Sequence, residues 1–151
     1  MRLCLYRPDI PQNLGTLIRT SACLNIALDI IKPCAFPLSR EKLRRSAMDY
    51  IDLAHITIHE SEDVFWGDKV PGRTILLTTK AEVDYREIEF RPSDILIVGR
   101  ESAGVPPLFA QRCDCHIKIP MASNARSLNV AIAASMVLGE ALRQTTWIQK
   151  Q

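Results

Sequence analysis

The sequence predicts an α/β domain: a mostly parallel sheet with helices on both faces. Three observations predict it. Short β-rich runs alternate with helical patterns along the chain. Asp94-Ile95-Leu96-Ile97-Val98-Gly99 carries the continuous apolar run of a strand covered on both sides. The 151 residues show no repeat, linker or low-complexity tract, so residues 1–151 are expected to form one domain.

The elements follow in order. Leu3 to Tyr6 is a strand, closed by Pro8 and Pro11. Asn13 can cap a helix from Leu14 to about Leu24, whose residues Leu14, Leu17, Ile18 and Ala22 share one face. Leu28 to Lys32 is a strand ending at Pro33, and Ser39 opens a short charged helix over Arg40 to Arg45. His55 to Ile58 alternates as a half-buried strand. Ser61 to Trp66 makes one or two helical turns stopped by Gly67. Thr74 to Thr79 is a buried strand after the Pro71-Gly72 turn, and Tyr85 to Phe90 is undecided. After the Asp94 strand come a short helix at Pro107 to Arg112 and a last strand at His116 to Pro120. The longest helix runs from Ser127 to Thr145 and is apolar almost all round between Leu128 and Leu142. A surface helix would show a polar stripe, so this one is either a central core helix or part of a subunit interface.

Composition sets limits on function. Hydrophobic residues at 47% and charged residues at 24% exclude disorder. A net charge of only +2 excludes binding to nucleic acid by bulk charge alone. Five cysteines, an odd number with only the tight Cys113-Asp114-Cys115 pair, do not read as a disulfide framework. No apolar run approaches the roughly 20 residues that cross a bilayer, and Met1 to Arg7 is not a signal peptide, so a soluble cytoplasmic protein is expected. His55, His59 and His116 lack ligand spacing, and no metal is expected.

Ligands of parallel α/β folds sit beyond the carboxyl ends of the strands, and three loops there are unusual. In Pro11-Gln12-Asn13-Leu14-Gly15-Thr16-Leu17-Ile18-Arg19, an arginine follows a bare glycine by one helical turn, which suits a phosphate or ribose. Gly99-Arg100-Glu101-Ser102-Ala103-Gly104-Val105-Pro106 is glycine-bracketed yet lacks both the Gly-Lys-Ser/Thr ending and the Gly-x-Gly fingerprint, so it favours a nucleoside over a polyphosphate. In Ile119-Pro120-Met121 to Asn129, Ser127 is a candidate helix cap. Asn129 is an amide beside an apolar helix and needs hydrogen-bond partners if buried. The residues alone also allow a flavodoxin-like nucleotide-binding domain.

Together these loops resemble the SPOUT methyltransferases, nearest to the small ones that methylate tRNA ribose. The likeness spans nearly the whole chain. It is carried by Leu5 through Arg19, Leu43-Arg44-Arg45 with Asp49-Tyr50, Leu77-Thr78-Thr79-Lys80, Gly99-x-Glu101-x-x-Gly104-x-Pro106, and Ile119-Pro120-Met121 with Arg126-Ser127-x-Asn129. Ala103 and Ala131-Ile132 depart from the pattern.

The resemblance implies a C-terminal trefoil knot, a homodimer, and S-adenosylmethionine as methyl donor. It implies transfer to the ribose 2′-OH of the wobble nucleotide, position 34, a cytidine or modified uridine of the tRNA anticodon loop. Leu77, Thr78, Gly99, Glu101, Gly104, Ile119, Met121, Ser127 and Leu128 would hold the cofactor. Arg19 resembles the catalytic arginine, with Asn13, Glu101, Ser127 and Asn129 orienting it or the ribose. A guanidinium is a poor proton acceptor, so Arg19 is expected to position a phosphate or stabilise the developing alkoxide. Arg19 with the cluster Arg40, Lys42, Arg44 and Arg45 would contact RNA. Methylation of another RNA site, or a non-catalytic RNA- or nucleoside-binding module, remains as the alternative.

Overall fold

The computed structural model describes residues 1–39, 41, 50 and 52–145. Its strands are β1 (Arg2–Tyr6), β2 (Ala27–Ile31), β3 (Ile56–His59), β4 (Thr74–Leu77), β5 (Val83–Asp84), β6 (Ile95–Val98) and β7 (Cys115–Lys118). They form one parallel sheet in the order β3-β2-β1-β6-β4-β7-β5. The described helices are α1 (Pro11–Cys23), α2 (Glu62–Asp68), α3 (Pro107–Gln111) and α4 (Val130–Thr145).

The two-residue period of the strands divides the core. Leu3 and Leu5 of β1, Leu28 and Ile30 of β2, and Leu96 and Val98 of β6 join the cluster that α1 and α4 cover. Their neighbours Cys4, Tyr6, Ile31, Ile95 and Ile97 point the other way, against Phe65 of α2 and Phe109 of α3. Helices on both faces explain why all four residues of β6 are buried and its sequence is uniformly apolar.

Several boundaries differ from expectation, each for a local reason. α1 begins at Pro11, whose fixed φ suits a first helical position; Ile10 is the cap residue and Asn13 lies inside the first turn. α2 runs through Gly67 to Asp68, with Ser61 capping it by accepting the Val64 N–H. α4 begins at Val130, because the Asn129 side chain rather than that of Ser127 receives the first free N–H groups, from Ala131 at 2.9 Å and Ile132 at 3.2 Å. β5 is only two residues long; a turn follows at Tyr85 to Glu87, and the chain to Phe90 is irregular. The expected helix over Arg40 to Arg45 lies outside the described residues.

α4 buries Ala131, Ala134, Val137, Leu138, Ala141 and Leu142. Ile132 (56% exposed) and Met136 (41%), one turn apart, remain in solvent on the other side. No described helix is long and apolar enough to cross a membrane.

Two ionic clusters lock the sheet. Asp29 on β2 accepts from Arg2 Nε and Nη2, at 2.7 and 2.9 Å, and lies 2.9 Å from His59 Nε2. Asp94 accepts from Arg73 Nε and Nη2, at 3.1 and 2.8 Å, and from the Arg91 N–H.

Candidate active site

A cleft of about 390 Å³ opens at the carboxyl ends of the three adjacent strands β6, β4 and β7. Its apolar side is built by Leu76, Leu77, Val98, Ile119, Met121, Leu128, Val130 and Ala133; Thr78, Thr79, Arg100, Glu101, Ser127, Asn129 and Asn13 supply polar groups. All nine residues expected to hold the cofactor line this cleft. Ile10, Thr79, Arg100, Val105, Val130 and Ala133 line it too and escaped sequence reasoning. Ile10, Thr79, Arg100 and Val105 lie inside the quoted motifs and Val130 directly follows one, which was the signal available.

The loop after β6 is shaped by its two glycines. Arg100 and Gly104 pair backbone to backbone, each donating its N–H to the other's carbonyl at 2.9–3.0 Å. A Cβ at Gly99 would stand 2.6 Å from the Gly104 carbonyl carbon, and Gly104 itself adopts φ +67°. The first needs no side chain and the second a left-handed backbone, so this hairpin admits glycine at both places.

A chain of hydrogen bonds ties three loops together. Asn129 Nδ2 donates to Asn13 Oδ1 at 2.9 Å, and Asn13 Nδ2 donates to Glu101 Oε1 at 3.0 Å. Glu101 Oε2 accepts the Asp9 N–H at 3.0 Å, while Asp9 accepts the Glu101 N–H at 3.1 Å and the Ser102 hydroxyl. Asn13, expected to cap α1, is thus the bridge between the β6 loop and the start of α4. Burial first, then the hydrogen bonding with Asp9, pushes the Glu101 carboxyl up. Hydrogen bonding with Glu101 and then Ser102 holds Asp9 down to about 2.

Of the expected catalytic residues, Asn13, Glu101, Ser127 and Asn129 line the cleft, and Arg19 does not. Arg19 is exposed on α1, its guanidinium 4.8 Å from the centre of the Tyr50 ring. Arg40, Lys42, Arg44 and Arg45 lie outside the described residues. All five cysteines are free, and burial pushes Cys34 up to about 11, Cys113 up to about 12, and Cys4 and Cys115 above the usual range. These four are therefore thiols at neutral pH and poor nucleophiles.

The donor set suits an adenosyl group. An apolar bed for a flat ring lies beside hydroxyls and amides for ribose oxygens, and among the described lining residues Arg100 is the single cation, where a polyphosphate would call for several.

The cleft and its loops lie where the resemblance to the SPOUT methyltransferases places the cofactor. The SpoU rRNA Methylase family model matches residues 1–139, and the chain belongs to that family. A tRNA (cytidine(34)-2′-O)-methyltransferase from Beijerinckia indica is 49% identical over 150 residues, covering 98% of this chain and 94% of the relative. A solved structure described as giving insight into 2-OH methylation of C/U34 on tRNA is 38% identical, with a TM-score of 0.88 over 95% of this chain and 94% of the other. An AdoMet-bound rRNA methyltransferase from Sinorhizobium meliloti is 30% identical with a TM-score of 0.83, over 94% of this chain and 55% of the other.

Proposed function

We propose that the protein transfers a methyl group from S-adenosylmethionine to the ribose 2′-OH of nucleotide 34, cytidine or modified uridine, in the tRNA anticodon loop. The observation that carries the reading is the cleft beyond β6, β4 and β7, its three loops tied by Asn129, Asn13 and Glu101. The 49% identity to a tRNA (cytidine(34)-2′-O)-methyltransferase supports the substrate. A single-stranded loop suits so small an enzyme, because its ribose is already accessible.

Bound in the cleft, the cofactor supplies an electrophilic methyl on its sulfonium. The chain's own part is placement. Leu77, Ile119, Met121 and Leu128 would cover its ring, and Thr78, Gly99, Gly104 and Ser127 would face its polar edges. Glu101 and Asn13 act as positioning residues, since their side chains hold the β6 loop against α1 and α4. Arg19 is outside the cleft and reaches the reaction through the RNA, gripping a phosphate or facing the developing alkoxide. The residues around the cleft would hold the ribose 2′-oxygen in line for methyl transfer, with the 2′-hydroxyl proton released to solvent.

Residues 1–151 act as a single domain in this reading, cytoplasmic and without a metal, with the family's knot at the C-terminal end. Two copies form the working unit. Leu128, Ile132 and Met136 give an apolar stripe beside the cleft that a second copy would cover.

The test is incubation with methyl-labelled S-adenosylmethionine and tRNA from a strain lacking the activity, followed by mapping of any 2′-O-methyl. Label on nucleotide 34 is expected. Tight cofactor binding without transfer would instead favour a non-catalytic binding module, and label elsewhere would replace the substrate.

A further inference from the structure

Among the described residues, four arginines are held by carboxylates through two hydrogen bonds or more: Arg2 by Asp29, Arg73 by Asp94, Arg86 by Asp84 and Arg143 by Glu140. Arg7 and Arg100 are treated differently. Arg100 makes no side-chain hydrogen bond among the described residues; its nearest charge is an Asp9 oxygen, 3.6 Å from Nε. Arg7 makes one long hydrogen bond, from Nη2 to Glu62 at 3.3 Å. In both, Nε is buried with no acceptor, while a third or so of the side chain stays exposed. Buried donors without acceptors are rare enough to need an explanation.

The two carboxylates nearby are already engaged. Glu62 Oε2 accepts the Tyr6 hydroxyl at 2.9 Å, and Asp9 accepts from Glu101 and Ser102. They orient the guanidinium groups, and of the donors only Arg7 Nη2 is taken among the described residues, by Glu62.

The sheet puts these two arginines together. The register that pairs Leu5 with Val98 carries Arg7 and Arg100 out of β1 and β6 at the same level. Both guanidinium groups act electrostatically on the Tyr6 hydroxyl. Arg7 leaves β1 with φ 46°, a left-handed turn uncommon for a residue with a side chain. Arg100 lines the cleft.

We propose that Arg7 and Arg100 together bind one backbone phosphate of the RNA strand whose ribose is presented to the cleft. The proposal rests on the reading of the chain as an RNA methyltransferase. A phosphodiester offers two outward oxygens, and two adjacent planar forks can each take one in paired N–H···O bonds. Because each Nε is buried, the phosphate oxygens would meet the part of each guanidinium that stays exposed. Fixing the phosphate at the rim of β1 and β6 sets the ribose at a constant depth over the cleft.

The test uses the full chain, a labelled anticodon-loop RNA and anisotropy at several salt concentrations. The double variant R7Q/R100Q is expected to bind about tenfold more weakly at low salt. The slope of log affinity against log salt is expected to fall by about 0.7, the value for one single-strand phosphate. R7K/R100K should recover part of the affinity and most of the slope, because it keeps charge without the fork. It also serves if the glutamine pair folds poorly. R86Q, which removes an exposed charge at the far edge of the sheet, should leave RNA binding unchanged. Cofactor affinity should be the same in R86Q as in the wild-type protein.

Unchanged RNA affinity and slope in R7Q/R100Q would overturn the site, as would an equal loss in R86Q. Weakened cofactor binding with RNA binding intact would assign Arg100 to the cofactor's carboxylate instead. If the wild-type protein neither binds the RNA nor methylates it, the functional reading falls and the site with it; active wild type with silent variants sinks the site alone.

Discussion

The hydrogen bond between Asn129 and Asn13 joins the start of α4 to the start of α1, and its worth can be separated from the cap that Asn129 also provides. Asn129 uses its two ends differently: Oδ1 receives the Ala131 and Ile132 N–H groups, and Nδ2 donates to buried Asn13. Asn129→Ala removes both. Loss of the cap costs about 1 kcal/mol. Leaving the Asn13 oxygen without its donor costs about 1–3 kcal/mol, and the low end applies because Asn129 is exposed and water can enter. The sum is about 2 kcal/mol. Asn129→Ser keeps a capping oxygen and loses only the bond to Asn13, so about 1 kcal/mol is expected. With a urea slope of about 2 kcal/mol per molar, the midpoints fall by about 1 M and about 0.5 M respectively. Protein concentration must be fixed, since dimer formation would add to apparent stability. A double-mutant cycle with Asn13→Ala should show coupling of about 1 kcal/mol. Equal midpoints for the serine and wild-type proteins, or full additivity in the cycle, would refute the assignment.

Arg19→Ala should lower methyl transfer by at least a hundredfold while cofactor affinity, measured by calorimetry, stays within twofold; equal loss of both would remove Arg19 from the reaction. Gly99→Ala should weaken cofactor binding more than Gly104→Ala, because the first pushes a methyl into the Gly104 backbone and the second meets nothing within 4 Å and costs only about 1 kcal/mol of left-handed strain. Asp94→Ala should destabilise by about 3 kcal/mol in urea, since it leaves Arg73 without the fully buried carboxylate that holds it. Asp9 is held at about 2 against an ordinary 3.8, so its stabilisation is complete above the ordinary value and drains away as pH falls from 3.8 toward 2. Asp9→Asn should flatten the urea midpoint over that window. Glu101 acts in the opposite sense: its raised pKa favours the folded state at low pH, and that contribution is lost as pH rises through its folded value.

The strands and the cleft were legible because their signals are local. Ile95 to Val98 is apolar without interruption since both faces are covered, and the glycines at 99 and 104 stand where the backbone turns on itself. β5 was missed because two residues carry no period. The ionic clusters were illegible for another reason: Arg2 and Asp29 are 27 residues apart, Arg73 and Asp94 are 21, and nothing local marks either pair.

Asn13 shows how the two kinds of information compete. Read locally, an asparagine before an apolar helical run is a cap; in the fold, Pro11 already starts the helix, and the amide is free to serve two partners 88 and 116 residues away. The same geometry bears on catalysis. A cofactor seated in the cleft would touch loops from three separate stretches of chain, and each can shift unless something holds it. The amide of Asn13 is one group that donates to one loop and accepts from another, so its orientation is fixed only when both are in place. Cofactor affinity should therefore respond to Asn13 and Asn129 even where neither touches the cofactor.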